Sequence, residues 1–119
     1  MADIVVKAAY GSVVEDDEEG FLFIGFAQGE EEDEPYVMFR QALSGGPIWF
    51  EVNDESLGGD DVVTGVVVGP KGLTITIAPD HVPNIGWANQ IDVRIGPDCE
   101  DGPQAIAALR EMLGDLVVG

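Results

Sequence analysis

The chain has 119 residues, with 5 Lys and Arg against 23 Asp and Glu, and a formal net charge of −18. This length fits a single domain over residues 1–119, and a hydrophobic content of 45% lets the chain form a core in spite of its charge. Because so negative a molecule repels phosphate groups, the composition argues against direct binding to nucleic acid or to an acidic membrane surface.

The single cysteine, Cys99, and the single histidine, His81, limit the chemistry that the chain can perform. One cysteine cannot form an internal disulfide or a cysteine-based zinc cage, and one histidine cannot supply a site that needs two imidazoles. No motif places a serine or cysteine nucleophile beside His81. We therefore expect no enzyme activity, no catalytic residue, no metal site and no cofactor.

No targeting or membrane-spanning segment is recognisable in the sequence. The first residues lack the basic and apolar regions of a secretory signal, and no apolar run reaches the roughly 18 residues that a membrane span needs. These observations predict a cytoplasmic protein.

Short runs rich in β-branched and aromatic residues alternate with turn-forming residues along the chain, a pattern typical of strands. The acidic runs 15–19 and 30–34 predict solvated loops, and the polar segment 53–61 predicts a third loop. The segment 79–89 contains two prolines and predicts irregular structure. The predicted strands are 3–10, 21–28, 35–43, 48–53, 61–68, 73–78 and 90–95.

Hydrophobic periodicity predicts how these segments pack. The run 21–28 is continuously apolar, which predicts a strand covered on both faces. The segment 48–53 alternates, so Trp49 and Glu51 share the face opposite to its apolar residues. Apolar residues recur at helical spacing over 103–116, which predicts a helix lying across one sheet face. The expected fold is α+β and mostly β, an antiparallel sheet of about seven strands with one C-terminal helix.

The acidic runs allow three interpretations: mobile solvated loops, a recognition surface for a partner, or a low-affinity calcium patch. Calcium needs converging oxygen ligands, and Leu57 stands where one is required, so we expect no metal there. Exposed aromatic side chains flanked by charge are typical anchors of protein interfaces, although Trp49 could instead be buried under the helix. The candidate partner-binding residues are Glu31, Glu32, Glu51, Asp54, Trp49 and Trp87.

Short motifs follow one another in a fixed order along the chain. A Tyr-led strand at 36–43 precedes an aromatic-x-Glu strand at 49–54, a glycine pair at 58–59, the segment LTITI at 73–77, a further strand and a helix. This order resembles the immunity-protein-ten family of bacterial polymorphic toxin systems over roughly residues 20–114. The resemblance implies a small cytoplasmic antitoxin that neutralises a toxin by binding it.

Charge supports the same expectation. Toxin domains that act as nucleases have basic surfaces because they bind phosphate, and an acidic partner associates with such a surface faster through electrostatic steering. We therefore expect a basic toxin domain, of which a nuclease is one kind, as the partner. The alternatives are a DNA-mimic inhibitor, a salt-adapted acidic domain and a small enzyme, and a homodimer also stays open.

Overall fold

The computed structural model describes residues 3–29, 31 and 33–119, which form nine strands and one α-helix. The helix α1 spans Gly102–Leu113, and two 3₁₀ segments span Pro79–Ile85 and Gly114–Leu116. The strands are β1 (Ile4–Asp16), β2 (Phe21–Ala27), β3 (Tyr36–Ala42), β4 (Ile48–Val52), β5 (Asp54–Asp60), β6 (Val63–Gly69), β7 (Gly72–Ile77), β8 (Gln90–Glu100) and β9 (Val117–Val118).

These strands of the described residues form one sheet in the order β5-β4-β3-β2-β1-β8-β7-β6-β9. Two antiparallel meanders, β1–β5 and β6–β8, are joined by the parallel pairing of β1 with β8, and β9 pairs in parallel with β6. A mostly β domain with one C-terminal helix is thus confirmed. The predicted count of about seven strands is wrong, and so is a purely antiparallel sheet, because β1 pairs with β8 and β6 with β9 in parallel. The helix α1 is the crossover between β8 and β9, which sets β9 parallel to β6.

The core lies on one face of the sheet and under α1. Phe39 and Phe50 are fully buried, with ring centroids 5.0 Å apart, and Leu109 of α1 joins them in one continuous cluster. The helix packs against β1 and β2 at Gly11, where an added Cβ would lie 2.8 Å from the Asp101 carbonyl oxygen. Only glycine therefore lets the helix approach β1 this closely.

The largest difference from the predicted elements is β5. The residues of β5 were expected within a polar loop, but they pair with β4, with Gly58 opposite Glu51 and Gly59 opposite Phe50. Backbone hydrogen bonds to the free edge of β4 hold this strand, so it needs no apolar pattern of its own. Its identification as a loop is therefore wrong.

Other boundaries also move. Glu15 and Asp16 belong to β1, because the β1–β2 hairpin pairs them with Leu22 and Phe21. β2 is fully buried on one face only, so coverage of both faces is wrong. The helix ends at Leu113 rather than 116, because Gly114 adopts a φ of 58°, a positive value outside the range of a right-handed helix.

Within the described part of the chain, no helix has the length and apolarity that crossing a bilayer requires.

Candidate partner-binding site

The outer face of β1–β5, opposite to the core, carries two adjacent rows of side chains. The helix packs on the core face, so it does not cover these rows. Cross-strand register defines both rows. The first runs through Ser12, Gly25, Met38, Glu51 and Gly58, and the second through Val14, Phe23, Arg40, Trp49 and Asp60.

An open cleft of about 690 Å³ lies over the first row. Its floor includes small residues such as Ser12 and Gly25, and Tyr10, Tyr36 and Met38 contribute aromatic and thioether surface. The lining residues, all within the described ranges, include no lysine or arginine. The carboxylates that line the cleft are Glu31, Glu34, Glu51, Asp54 and Glu55.

Glu51 is the fixed acidic group of the cleft. Its side chain is only 7% exposed. Its Oε1 accepts a hydrogen bond from Nε1 of Trp49 at 2.8 Å, and its Oε2 accepts one from the Tyr36 hydroxyl. Trp49 reaches it because residues two apart in a strand share a face. The structure therefore places Glu51 as a buried, oriented carboxylate rather than as a freely exposed charge.

Tyr36 is held as a hydrogen-bond donor. Burial raises the pKa of its phenol, and the hydrogen bond to Glu51 raises the pKa further. The backbone N–H of Tyr36 donates to Oδ1 of Asn53 at 3.1 Å, which fixes the start of β3 against the end of β4. Tyr36 thus remains protonated and directs its hydroxyl at Glu51 throughout the physiological range.

Trp49 is half-buried on the outer face, away from α1. Its six-membered ring lies against Gly58, where an added Cβ would come within 2.7 Å of Cζ2. The guanidinium carbon of Arg40 lies 5.2 Å from the centroid of the indole and 5.3 Å from the Phe21 ring. Trp49 is therefore neither covered by the helix nor fully displayed, and its main polar contact is with Glu51.

The other acidic candidates lie at the rim. Glu31 is exposed, and its backbone N–H donates to the Glu34 carboxylate at 3.2 Å. Asp54 is also exposed; its Oδ1 accepts a hydrogen bond from the Ser56 N–H at 2.8 Å, which lowers the pKa of Asp54. Glu32 lies outside the described residues. Glu31, Glu51 and Asp54 are thus brought together around one cleft.

Trp87 lies elsewhere, at the end of the 3₁₀ segment. It is 74% exposed and adopts a φ of 62°, an unfavourable value for a bulky side chain. The preceding Gly86 lies near Leu57 of β5. Trp87 does not line the cleft, so an interface that includes both must extend past the β5 edge.

Tyr36, Glu34, Glu55 and Met38 line the cleft but were not among the predicted site residues. The alternation of β3 could have indicated that Tyr36 and Met38 share a face. The register that brings them to Glu51 depends on strand pairing, for which one sequence gives no direct signal.

The single histidine and the single cysteine both lie away from the cleft. In the residues that the structure describes, no cluster of three His, Cys, Asp or Glu side chains could hold a metal ion. His81 is half-buried in the 3₁₀ segment and does not line the cleft. Burial raises the pKa of the Cys99 thiol, and Asp101 and Glu100 raise it further, which makes this thiol a poor nucleophile.

Comparison with known proteins gives the chain no relative from which a role could be transferred. No protein-family model matches it, and no curated protein and no solved structure is similar to it.

Proposed function

We propose that this protein binds a basic protein partner, a toxin domain, through the acidic cleft on the outer face of β1–β5, and that it neutralises the toxin by covering its active surface. The observation that carries the proposal is Glu51, a buried carboxylate oriented by Tyr36 and Trp49 within a cleft that has four more carboxylates and no basic side chain in its lining. The sequence resemblance to an immunity family suggests a toxin as the partner.

Two kinds of acidic group would act differently in this complex. Exposed rim charges such as Glu31 and Asp54 lie in water, where they mainly accelerate association and suppress wrong partners. Glu51 is already desolvated and oriented, so a partner cation would meet a carboxylate that needs little reorganisation. Affinity should therefore depend on Glu51, and the salt dependence of association on the rim.

The experiment is co-expression of the protein with the product of an adjacent toxin gene, followed by cell survival and co-purification at low and moderate salt. We expect survival and a complex. Cell death without a complex at either salt concentration would refute the proposal.

A matched pair of variants tests the location of the interface. Glu31→Gln with Glu34→Gln removes two rim charges, whereas Glu111→Gln with Asp115→Asn removes two exposed charges near the C-terminus. Both variants change the net charge equally. We expect the rim pair to slow association severalfold more than the C-terminal pair. Equal effects would show that total charge, and not the cleft, steers the partner.

A further inference from the structure

Glu51 is a buried carboxylate whose two hydrogen-bond partners are neutral. Its two hydrogen-bond donors are the Tyr36 hydroxyl and the Trp49 indole N–H, and no Lys or Arg is among the residues lining the cleft. Burial of a carboxylate costs free energy unless a cation or sufficient hydrogen bonds compensate it. Glu51 lines the cleft, so a cation from outside the chain can approach this carboxylate and balance its charge.

The geometry of the carboxylate favours a guanidinium group. Glu51 receives one donor on each oxygen, and a carboxylate has about four lone-pair positions. Each oxygen therefore keeps capacity for one more hydrogen bond. A guanidinium presents paired N–H donors in a plane, which matches two acceptors side by side, whereas an ammonium acts as a point charge.

The surface around Glu51 also suits a planar cation. Tyr10, Tyr36 and Met38 line the cleft, and guanidinium groups stack on aromatic faces. The same sheet face already holds one such contact, because Arg40 lies over the rings of Phe21 and Trp49. Arg40 itself belongs to the neighbouring row and does not line the cleft. The space beside Glu51 is therefore open to an arginine from another chain.

We propose that the cleft binds an arginine side chain of the protein partner, with the Glu51 carboxylate as its bidentate acceptor. This inference rests on the proposed function and specifies the group that the partner inserts. Trp49 and Tyr36 are positioning residues that hold the carboxylate in place. The wider acidic rim attracts any cation, and Glu51 selects the guanidinium.

A titration with a single blocked arginine, Nα-acetyl-arginine amide, tests the inference on the full chain. The two indole N–H groups give separate signals in ¹⁵N-labelled protein. Trp49 donates to Glu51, whereas Trp87 is 74% exposed and lies outside the cleft, so it serves as an internal reference. We expect a saturable shift of the Trp49 signal at millimolar probe, with little change at Trp87.

The first control is the corresponding lysine compound, Nα-acetyl-lysine amide, which carries the same charge. The second control is the variant Glu51→Gln, which keeps the side-chain shape. We expect at least fivefold weaker binding of the lysine probe and at least tenfold weaker binding of the arginine probe to the variant. Glu111→Gln should bind like the unmodified protein. The wild-type titration needs no variant to fold: an unmoved Trp49 signal, or equal binding of both probes, would overturn the inference.

These outcomes are separable from those of the proposed function. If the toxin binds but the arginine probe does not, the arginine site is refuted and the wider proposal stands. If the arginine probe binds as expected but no toxin forms a complex, the toxin-binding proposal is refuted and the arginine site remains.

Discussion

Gly58 tests the arrangement of the cleft most directly, because a single methyl group there meets three neighbours. A Cβ at this position would lie 2.7 Å from the Phe50 carbonyl oxygen, 2.7 Å from Cζ2 of Trp49 and 3.0 Å from Cβ of Glu51. The indole can swing away, but the Phe50 oxygen belongs to the backbone of β4. In Gly58→Ala we therefore expect β5 to shift outward and Trp49 to move relative to Glu51.

The expected change in the free energy of unfolding of Gly58→Ala is the sum of opposing contributions. Overpacking of a well-packed site costs about 1–3 kcal/mol, and loss of the hydrogen bond from Trp49 to the Glu51 carboxylate costs about 1.5–3 kcal/mol if the indole moves. Replacing glycine within a strand recovers about 0.5–1 kcal/mol of conformational entropy. Since the first two costs are alternative ways to relieve one clash, we expect a net loss of about 1–2 kcal/mol in the free energy of unfolding.

Urea unfolding and the indole N–H spectrum measure both consequences. The matched control is Gly65→Ala in β6, where the nearest atom to the added Cβ is the Leu116 carbonyl oxygen at 3.8 Å, an ordinary contact. We expect this control to be stabilised by about 0.4–1 kcal/mol. If Gly58→Ala unfolds at the same urea concentration as the unmodified protein and leaves the Trp49 signal in place, the packing of Trp49 over β5 is wrong.

Two further predictions concern the core and the cleft. Leu109 is fully buried, so Leu109→Ala should lower the free energy of unfolding by about 2–4 kcal/mol. A decrease of only a few tenths of a kcal/mol, measured by urea unfolding, would contradict its burial. The folded-state pKa of Tyr36 lies above the ordinary tyrosine value of 10.0, so its contribution to stability is complete below that pH and is lost as pH rises above it. Stability measured from pH 8 to 11 should therefore fall more steeply in the unmodified protein than in Tyr36→Phe, and equal slopes would exclude this coupling.

Local side-chain patterns predict the elements that bury an apolar face. Strict alternation from Ile48 to Val52 places Trp49 and Glu51 together on the outer face, as the structure confirms. The helical spacing predicts that Leu109 and Leu113 face the core, which the structure confirms. Ile106 and Met112 of the same predicted stripe are only half-buried, and Leu116 is exposed beyond the end of α1. In both cases the burial of side chains on one face stabilises the element, and this burial requires a hydrophobic periodicity that can be recognised in the sequence.

Elements that are held mainly by backbone hydrogen bonds show no such hydrophobic periodicity. β5 contains two acidic residues, a serine and two glycines among its first six residues, and only the free edge of β4 makes it a strand. Because the cleft depends on that strand and on the register of β3 against β4, its composition could not be predicted from one sequence. The exposure of Trp87 was easier to anticipate, since loops often carry recognition residues.

The parallel pairing of β1 with β8 joins residues that are far apart in the sequence, so the sheet is complete only after this distant contact has formed. Ile4 pairs with Ile91 and Val6 with Val93, whereas β2–β5 and the β6–β7 hairpin close over short loops. Because distant contacts form more slowly than local ones, we expect each meander to form before the two dock. Until then the β1 edge is open to other chains, a state prone to aggregation. Mutual repulsion between molecules of net charge −18 would keep such intermediates apart, so the acidity that we propose attracts a basic partner would also protect the protein while it folds.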